Sequence, residues 1–177
     1  MVPIVTPRNP VRGPGTPQLR KIFGGAVTNW REVRGEDRPV EPVFRDAASG
    51  TAAVWEKAVT GPPPGCGGRE PAASGSAVLA RVAEAPGAIG YISAGYLNRE
   101  IRPLRLDGFA PAAANVRRGT WPVYRRLFLY VTEERLTAPV KRFIAYLPSA
   151  EGQASVEASG LVPAHRGASA ASPPAPP

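Results

Sequence analysis

The chain is poor in the residues that most often carry covalent or metal chemistry. Its 177 residues include one cysteine, Cys66, and one histidine, His165. A single cysteine forms no intrachain disulfide, so the redox compartment stays open. One cysteine and one histidine also make no zinc constellation. As a nucleophile Cys66 would need a base beside it, and His165 stands far down the chain, close to the tail. No apolar run approaches the ~20 residues of a membrane-spanning helix. The stretch from Met1 to Pro7 lacks the basic segment and apolar run of a secretory leader, so no export signal is expected in this chain. Lysine is scarce: Lys21, Lys57 and Lys141 stand against nineteen arginines. The arginines occur as singles and pairs, such as Arg117-Arg118 and Arg125-Arg126, with no run of five that would mark a basic tail. The net charge of +8 and pI near 10.4 therefore fit a solvated basic surface or a small anionic partner. No recognisable nucleic-acid module accompanies them, and no nucleic-acid partner is expected.

What is present is the composition of a folded domain, with 43% hydrophobic and 20% charged residues. The length suits one domain or two small lobes. Short β-prone runs recur at Val2–Thr6, Pro39–Phe44, Ala88–Ser93 and Ile101–Leu106. Arg125–Val131 is the strongest of them. Helical spacing separates these runs. Thr16 and Pro17 read as N-cap and first helical residue of a helix burying Leu19, Ile22 and Phe23, and Gly24-Gly25 closes it. Ser49 caps a helix presenting Val54, Trp55, Ala58 and Val59. Gly75–Ala85 carries Val78, Leu79 and Val82, and Ala112–Arg117 suits one short helical turn. Pro139–Leu147 carries Val140, Phe143, Ile144 and Leu147. Ser149 starts a last helix that Gly160 ends. Trp30 sits in a turn as a core residue. Thr60–Ser74 is a Pro/Gly-rich loop, and residues 166–177 form a low-complexity tail expected to be disordered. Alternating strands and helices make the fold class α/β.

One stretch concentrates chemistry. Arg45-Asp46-Ala47-Ala48-Ser49-Gly50-Thr51 runs from a strand into a helix start. First-turn amides of a helix have no intrahelical partner, and the helix dipole puts partial positive charge there. A tetrahedral oxyanion satisfies both. Ser49 and Thr51 add hydroxyl donors, Gly50 removes a side chain that would block close approach, and Arg45 supplies a forked cationic donor. Read locally, the same residues also fit a plain N-cap with an arginine nearby in an arginine-rich chain. The pattern is not a P-loop, because no Gly-Lys-Ser/Thr follows a spaced glycine.

Segments in order along the chain carry a resemblance. They are Pro10-Val11; Gln18-Leu19-Arg20-Lys21-Ile22-Phe23-Gly24-Gly25-Ala26-Val27-Thr28-Asn29-Trp30; Pro42-Val43-Phe44-Arg45 through Ser49-Gly50-Thr51; and Pro86-Gly87-Ala88-Ile89-Gly90-Tyr91-Ile92-Ser93. Gly119-Thr120-Trp121-Pro122-Val123, Leu127-Phe128-Leu129-Tyr130, Ser149-Ala150-Glu151-Gly152-Gln153 and Gly160-Leu161-Val162-Pro163 follow. Together they resemble the phosphate-binding proteins of bacterial high-affinity phosphate ABC transporters, within the type 2 periplasmic-binding-protein superfamily. The family's Arg-x-x-x-Ser-Gly-Thr loop contacts phosphate. The resemblance therefore implies phosphate contacts from Arg45, Ser49, Gly50 and Thr51. Ala48 stands where family members often carry glycine or serine.

The family fold is two α/β lobes closing on the ligand. Nothing before Val2 matches the first lobe, with its Gly/Ser/Thr-rich loop and its proton-accepting acidic residue, and the loop Thr60–Ser74 is short. The resemblance implies a second lobe at residues 1–124, a return strand with C-terminal helices of the first lobe at 125–165, and the tail beyond. Val2–Thr6 would be one crossing strand between lobes and Leu127–Val131 the return. It implies a truncated substrate-binding component of a phosphate transporter. That component would be non-enzymatic, would need no cofactor or metal, would act in the periplasm or outside the cell, and would have inorganic phosphate and a membrane permease as partners. A single-lobe remnant acting through a protein partner that supplies the missing lobe is the other reading. Asp37, Asp46 and Glu56 have no partner base or metal set, so catalysis is not expected.

Overall fold

The computed structural model describes residues 1–61 and 70–164. Cys66, His165, the tail 166–177 and the middle of the loop expected over Thr60–Ser74 lie outside the described residues. The chain divides into two compact units, Met1–Arg126 and Leu127–Pro177.

The first unit is built on a four-stranded sheet in the order β2-β3-β1-β4. Its strands are β1 (Val2–Val5), β2 (Glu41–Pro42), β3 (Ala88–Ile92) and β4 (Arg102–Pro103). β1 runs antiparallel to both neighbours, pairing Val2 with Ile92 and Ile4 with Pro103, while β2 lies parallel to β3. Every residue of β1 and β3 is buried. That explains their near-continuous apolar sequences, since strands covered on both faces do not alternate. Both outer strands contain a proline, Pro42 and Pro103. A residue without an N–H costs no ladder hydrogen bond when it sits at an edge. The long strands expected over Pro39–Phe44 and Ile101–Leu106 are therefore short ladders of two residues. Single bridges extend them, Asn29 to Pro39, Arg45 to Ala72 and Leu106 to Phe109.

Helices α1 (Thr16–Phe23), α2 (Gly50–Trp55), α3 (Gly75–Glu84) and α4 (Ala113–Arg117) complete the unit. Leu19, Ile22 and Phe23 are buried on α1, as the spacing required. The N-cap of α1 is Gly15, one residue before the expected Thr16. Thr16 is committed elsewhere: its amide donates to Asp107 Oδ1 at 2.9 Å and its hydroxyl to Asp107 Oδ2 at 2.6 Å. At the other end Gly25 adopts φ 76° while Ala26 N donates to Lys21 O, a left-handed closure that glycine makes without strain. Trp30 is buried, with its indole N–H on Gly87 O at 2.9 Å. α3 lies so close on β3 that a Cβ on Gly90 would come 2.5 Å from Val78 Cγ1 and 3.0 Å from Val82 Cγ2.

The second unit holds α5 (Ala138–Tyr146) and α6 (Ala150–Ala158). Ser49 and Ser149 both act as N-caps, the latter accepting from Gly152 N. Gly152 is the only buried residue among those described from 127 to 164. The Arg125–Val131 segment, expected as the strongest strand, is assigned no strand at all. Leu127, Phe128, Leu129, Tyr130 and Val131 are exposed. β-propensity measures fit to a pleated, half-buried surface, and without a neighbouring strand the extended backbone has no ladder to join. Among the described residues no helix is long and apolar enough to cross a membrane.

Candidate oxyanion site

The loop Arg45–Ser49 leaves the sheet where Val43 N donates to Ile89 O and Ala72 N donates to Phe44 O. Its entry is fixed from below by Tyr91 of β3, whose hydroxyl accepts from Arg45 N at 3.3 Å. Under it lies an aromatic floor. Tyr91 stacks on Trp55 of α2, with centroids 4.7 Å apart and planes 7° from parallel, and Phe23 meets Trp55, Tyr91 and Phe44 edge-on. This packing joins the sheet, α1 and α2 beneath one short loop, so the loop stands on rigid elements.

Ser49, Gly50 and Thr51 meet at the start of α2. Ser49 is the N-cap, its Oγ accepting from Ala52 N at 3.3 Å, and its amide closes a turn on Asp46 O. The amides of Gly50 and Thr51 have no partner among the described residues. They are the donors that a helix start leaves unsatisfied. α2 passes without a break into a π turn over Glu56–Thr60, so the dipole behind these amides is longer than α2 alone.

Arg45 is held as a positioned cation. Its Nε donates to Ala72 O at 3.0 Å and its Nη2 to Ala73 O at 3.2 Å. Asp46 pairs with the same Nη2 at 3.4 Å. The side chain is only 13% exposed, and Nη1 has no hydrogen-bond partner among the described residues. Neutral carbonyls fix the side chain without cancelling its charge, and the single carboxylate is long for an ion pair.

A second guanidinium reaches this place. Trp121 and Val123 are buried, the Trp121 indole donates to Met1 O at 3.1 Å, and the Trp121 amide donates to Asn115 O. This anchor brings Arg125 over α2, where a Cβ on Gly50 would lie 2.6 Å from Arg125 Nη1, 3.4 Å from Cζ and 3.5 Å from Nη2. Sequence reasoning placed Arg125 in a strand and missed this contact, because no spacing rule links two residues so far apart in the chain. Burial lowers the pKa of the Met1 ammonium to about 6, and the Arg125 charge pushes it the same way.

Among the described residues no cluster of three His, Cys, Asp or Glu side chains could hold a metal ion. A cleft of about 380 Å³ lies elsewhere, lined by Glu41, Phe44, Glu70, Arg81 and Glu84 among others. With three carboxylates against one guanidinium it is the wrong surface for an anion.

Comparison with known proteins gives this geometry a lineage. The phosphate-binding protein PstS of Bacillus subtilis is 35% identical over 158 residues, 88% of this chain and 52% of that protein. A proposed phosphate ABC transporter substrate-binding protein of Clostridium perfringens, solved with bound phosphate, superposes with a TM-score of 0.87 at 28% identity. The match covers 93% of this chain and 68% of that one. An ABC-type phosphate transport receptor from Vibrio cholerae shares the fold, with a TM-score of 0.76 at 23% identity over 91% of this chain and 68% of its own. The chain thus spans about half the length of the Bacillus protein. The family pattern described as a PBP superfamily domain matches residues 1–151. The chain belongs to the PBP superfamily domain family.

Proposed function

We propose that this chain is the phosphate-binding part of a substrate-binding component in an ABC-type phosphate transport system, with Arg45, Ser49, Gly50 and Thr51 as its phosphate contacts. The observation that carries the reading is a fixed guanidinium on Arg45 in the same loop as two first-turn amides, Gly50 and Thr51, that have no partner among the described residues. Phosphate oxygens would accept from those amides, from the Ser49 and Thr51 hydroxyls and from Arg45. The names of the Bacillus and Clostridium proteins, and the phosphate bound in the latter, support the same ligand.

On this reading residues 1–124 are one jaw of a clamp, and 125–165 are the return segment that belongs to the other lobe. The exposed run Leu127–Val131 is then the surface which the rest of that lobe covers, and the anion, captured outside the cytoplasm, is delivered to a membrane permease. Binding, not catalysis, is the activity. A charge-assisted hydrogen bond contributes roughly 1.5–3 kcal/mol, and each 1.4 kcal/mol is about tenfold in affinity. One jaw alone should therefore bind orders of magnitude more weakly than two. Titration calorimetry with inorganic phosphate on this chain and on Arg45→Ala tests the reading. Saturable binding lost in the variant is expected, and absence of binding to the unchanged chain refutes it.

A further inference from the structure

We propose that Arg125 is a second guanidinium of the oxyanion site, binding the anion together with Arg45. The inference rests on the phosphate reading above and adds a residue to it. Three observations carry it. The three heavy atoms nearest to where a Gly50 Cβ would stand are all from the Arg125 guanidinium, Nη1, Cζ and Nη2, within 3.5 Å. The group therefore lies against the first residue of α2, where a Cβ would have to push it aside. Second, Arg125 takes part in no ion pair or hydrogen bond among the described residues; the pairs there are Arg31–Asp37, Arg38–Glu36 and Arg45–Asp46. Third, its surroundings are positive. It lies at the positive end of a helix dipole, against a helix start whose Gly50 and Thr51 amides have no acceptor among the described residues.

A cation held at the positive end of a helix, with no ion-pair partner among the described residues, is an arrangement that an anion relieves. A phosphate seated on the Gly50 and Thr51 amides would accept from both Arg125 and Arg45. Two forked donors suit three or four tetrahedral oxygens better than one. The placement does not depend on chance rotamers alone, because Trp121 and Val123, both buried, fix the backbone two to four residues before Arg125.

The test is titration of the full chain with inorganic phosphate, comparing the unchanged protein with Arg125→Gln, Arg125→Lys, Gly50→Ala and Arg45→Ala. Arg125 is exposed, so Arg125→Gln should fold normally, and circular dichroism checks this. Loss of one charge-assisted contact predicts about ten- to hundredfold weaker binding in Arg125→Gln. Partial recovery is expected in Arg125→Lys, along with a reduced salt dependence in both the Gln and Ala variants of the two arginines. Gly50→Ala should weaken binding by displacing the guanidinium. Unchanged or tighter binding in Arg125→Gln, with binding still lost in Arg45→Ala, overturns this inference and leaves the phosphate reading intact. No binding to the unchanged protein overturns both.

Discussion

Tyr91 on β3 and Trp55 on α2 stack nearly parallel, centroids 4.7 Å apart, directly beneath the loop that Tyr91 also holds through its hydroxyl on the Arg45 amide. The pair is a mechanical link between sheet and helix. Trp55 is buried, yet its indole N–H has no partner among the described residues. Trp55→Ala is expected to cost about 3–5 kcal/mol by opening a cavity under the loop. Trp55→Phe keeps an aromatic face for Tyr91 and removes the orphan donor, so its cost should be far smaller. Urea unfolding midpoints of the two variants measure the difference. Equal losses would show that the ring stack contributes nothing beyond volume.

The contact between α3 and β3 makes a second prediction. Gly90→Ala places a methyl 2.5 Å from Val78 Cγ1 and 3.0 Å from Val82 Cγ2. Side chains on α3 must move, and overpacking of this kind costs about 1–3 kcal/mol. Val78→Ala in the same chain makes the missing space. The double variant should therefore be more stable than the sum of the two single losses implies, a coupling that thermal unfolding of the four proteins reads directly.

Much of this was legible in the sequence, for a physical reason. Leu19, Ile22 and Phe23 recur at helical spacing and are buried together on α1. Ser49 precedes a helix it does cap. Each signal is local and periodic. The failures are non-local. Arg125–Val131 has the composition of a strand, but composition does not supply the neighbour that a strand must pair with. Thr16 looks like a cap until Asp107, distant in sequence, claims both its amide and its hydroxyl. Arg125 belongs over Gly50 only because Trp121 and Val123 are anchored in the core.

Ser49 separates folding from binding. Ser49→Ala removes the acceptor of Ala52 N, and loss of an N-cap costs about 1 kcal/mol. Ser49→Asp restores an acceptor, and aspartate at a helix start is also favoured by the dipole. It nevertheless places negative charge where the anion should sit. The expected result is a protein at least as stable as Ser49→Ala that binds no phosphate. Thermal melts paired with calorimetry on both variants test it. Phosphate binding retained in Ser49→Asp would move the site away from this helix start.

The last prediction concerns Leu127–Val131. Leu127 is 60% exposed and Tyr130 72% exposed, and the five residues are apolar or aromatic without an interruption. An exposed apolar run whose backbone N–H and C=O groups have no partners among the described residues is a template for pairing with another chain. This chain should therefore self-associate as its concentration rises, until something covers the run. Leu129→Lys puts a charge in its centre, where one such residue is enough to oppose edge pairing. Because Leu129 is itself exposed, folding stability should change by no more than about 0.5 kcal/mol. Static light scattering against concentration should show a rising apparent mass for the unchanged chain and a flatter curve for Leu129→Lys. Identical curves would mean that association, if present, uses another surface.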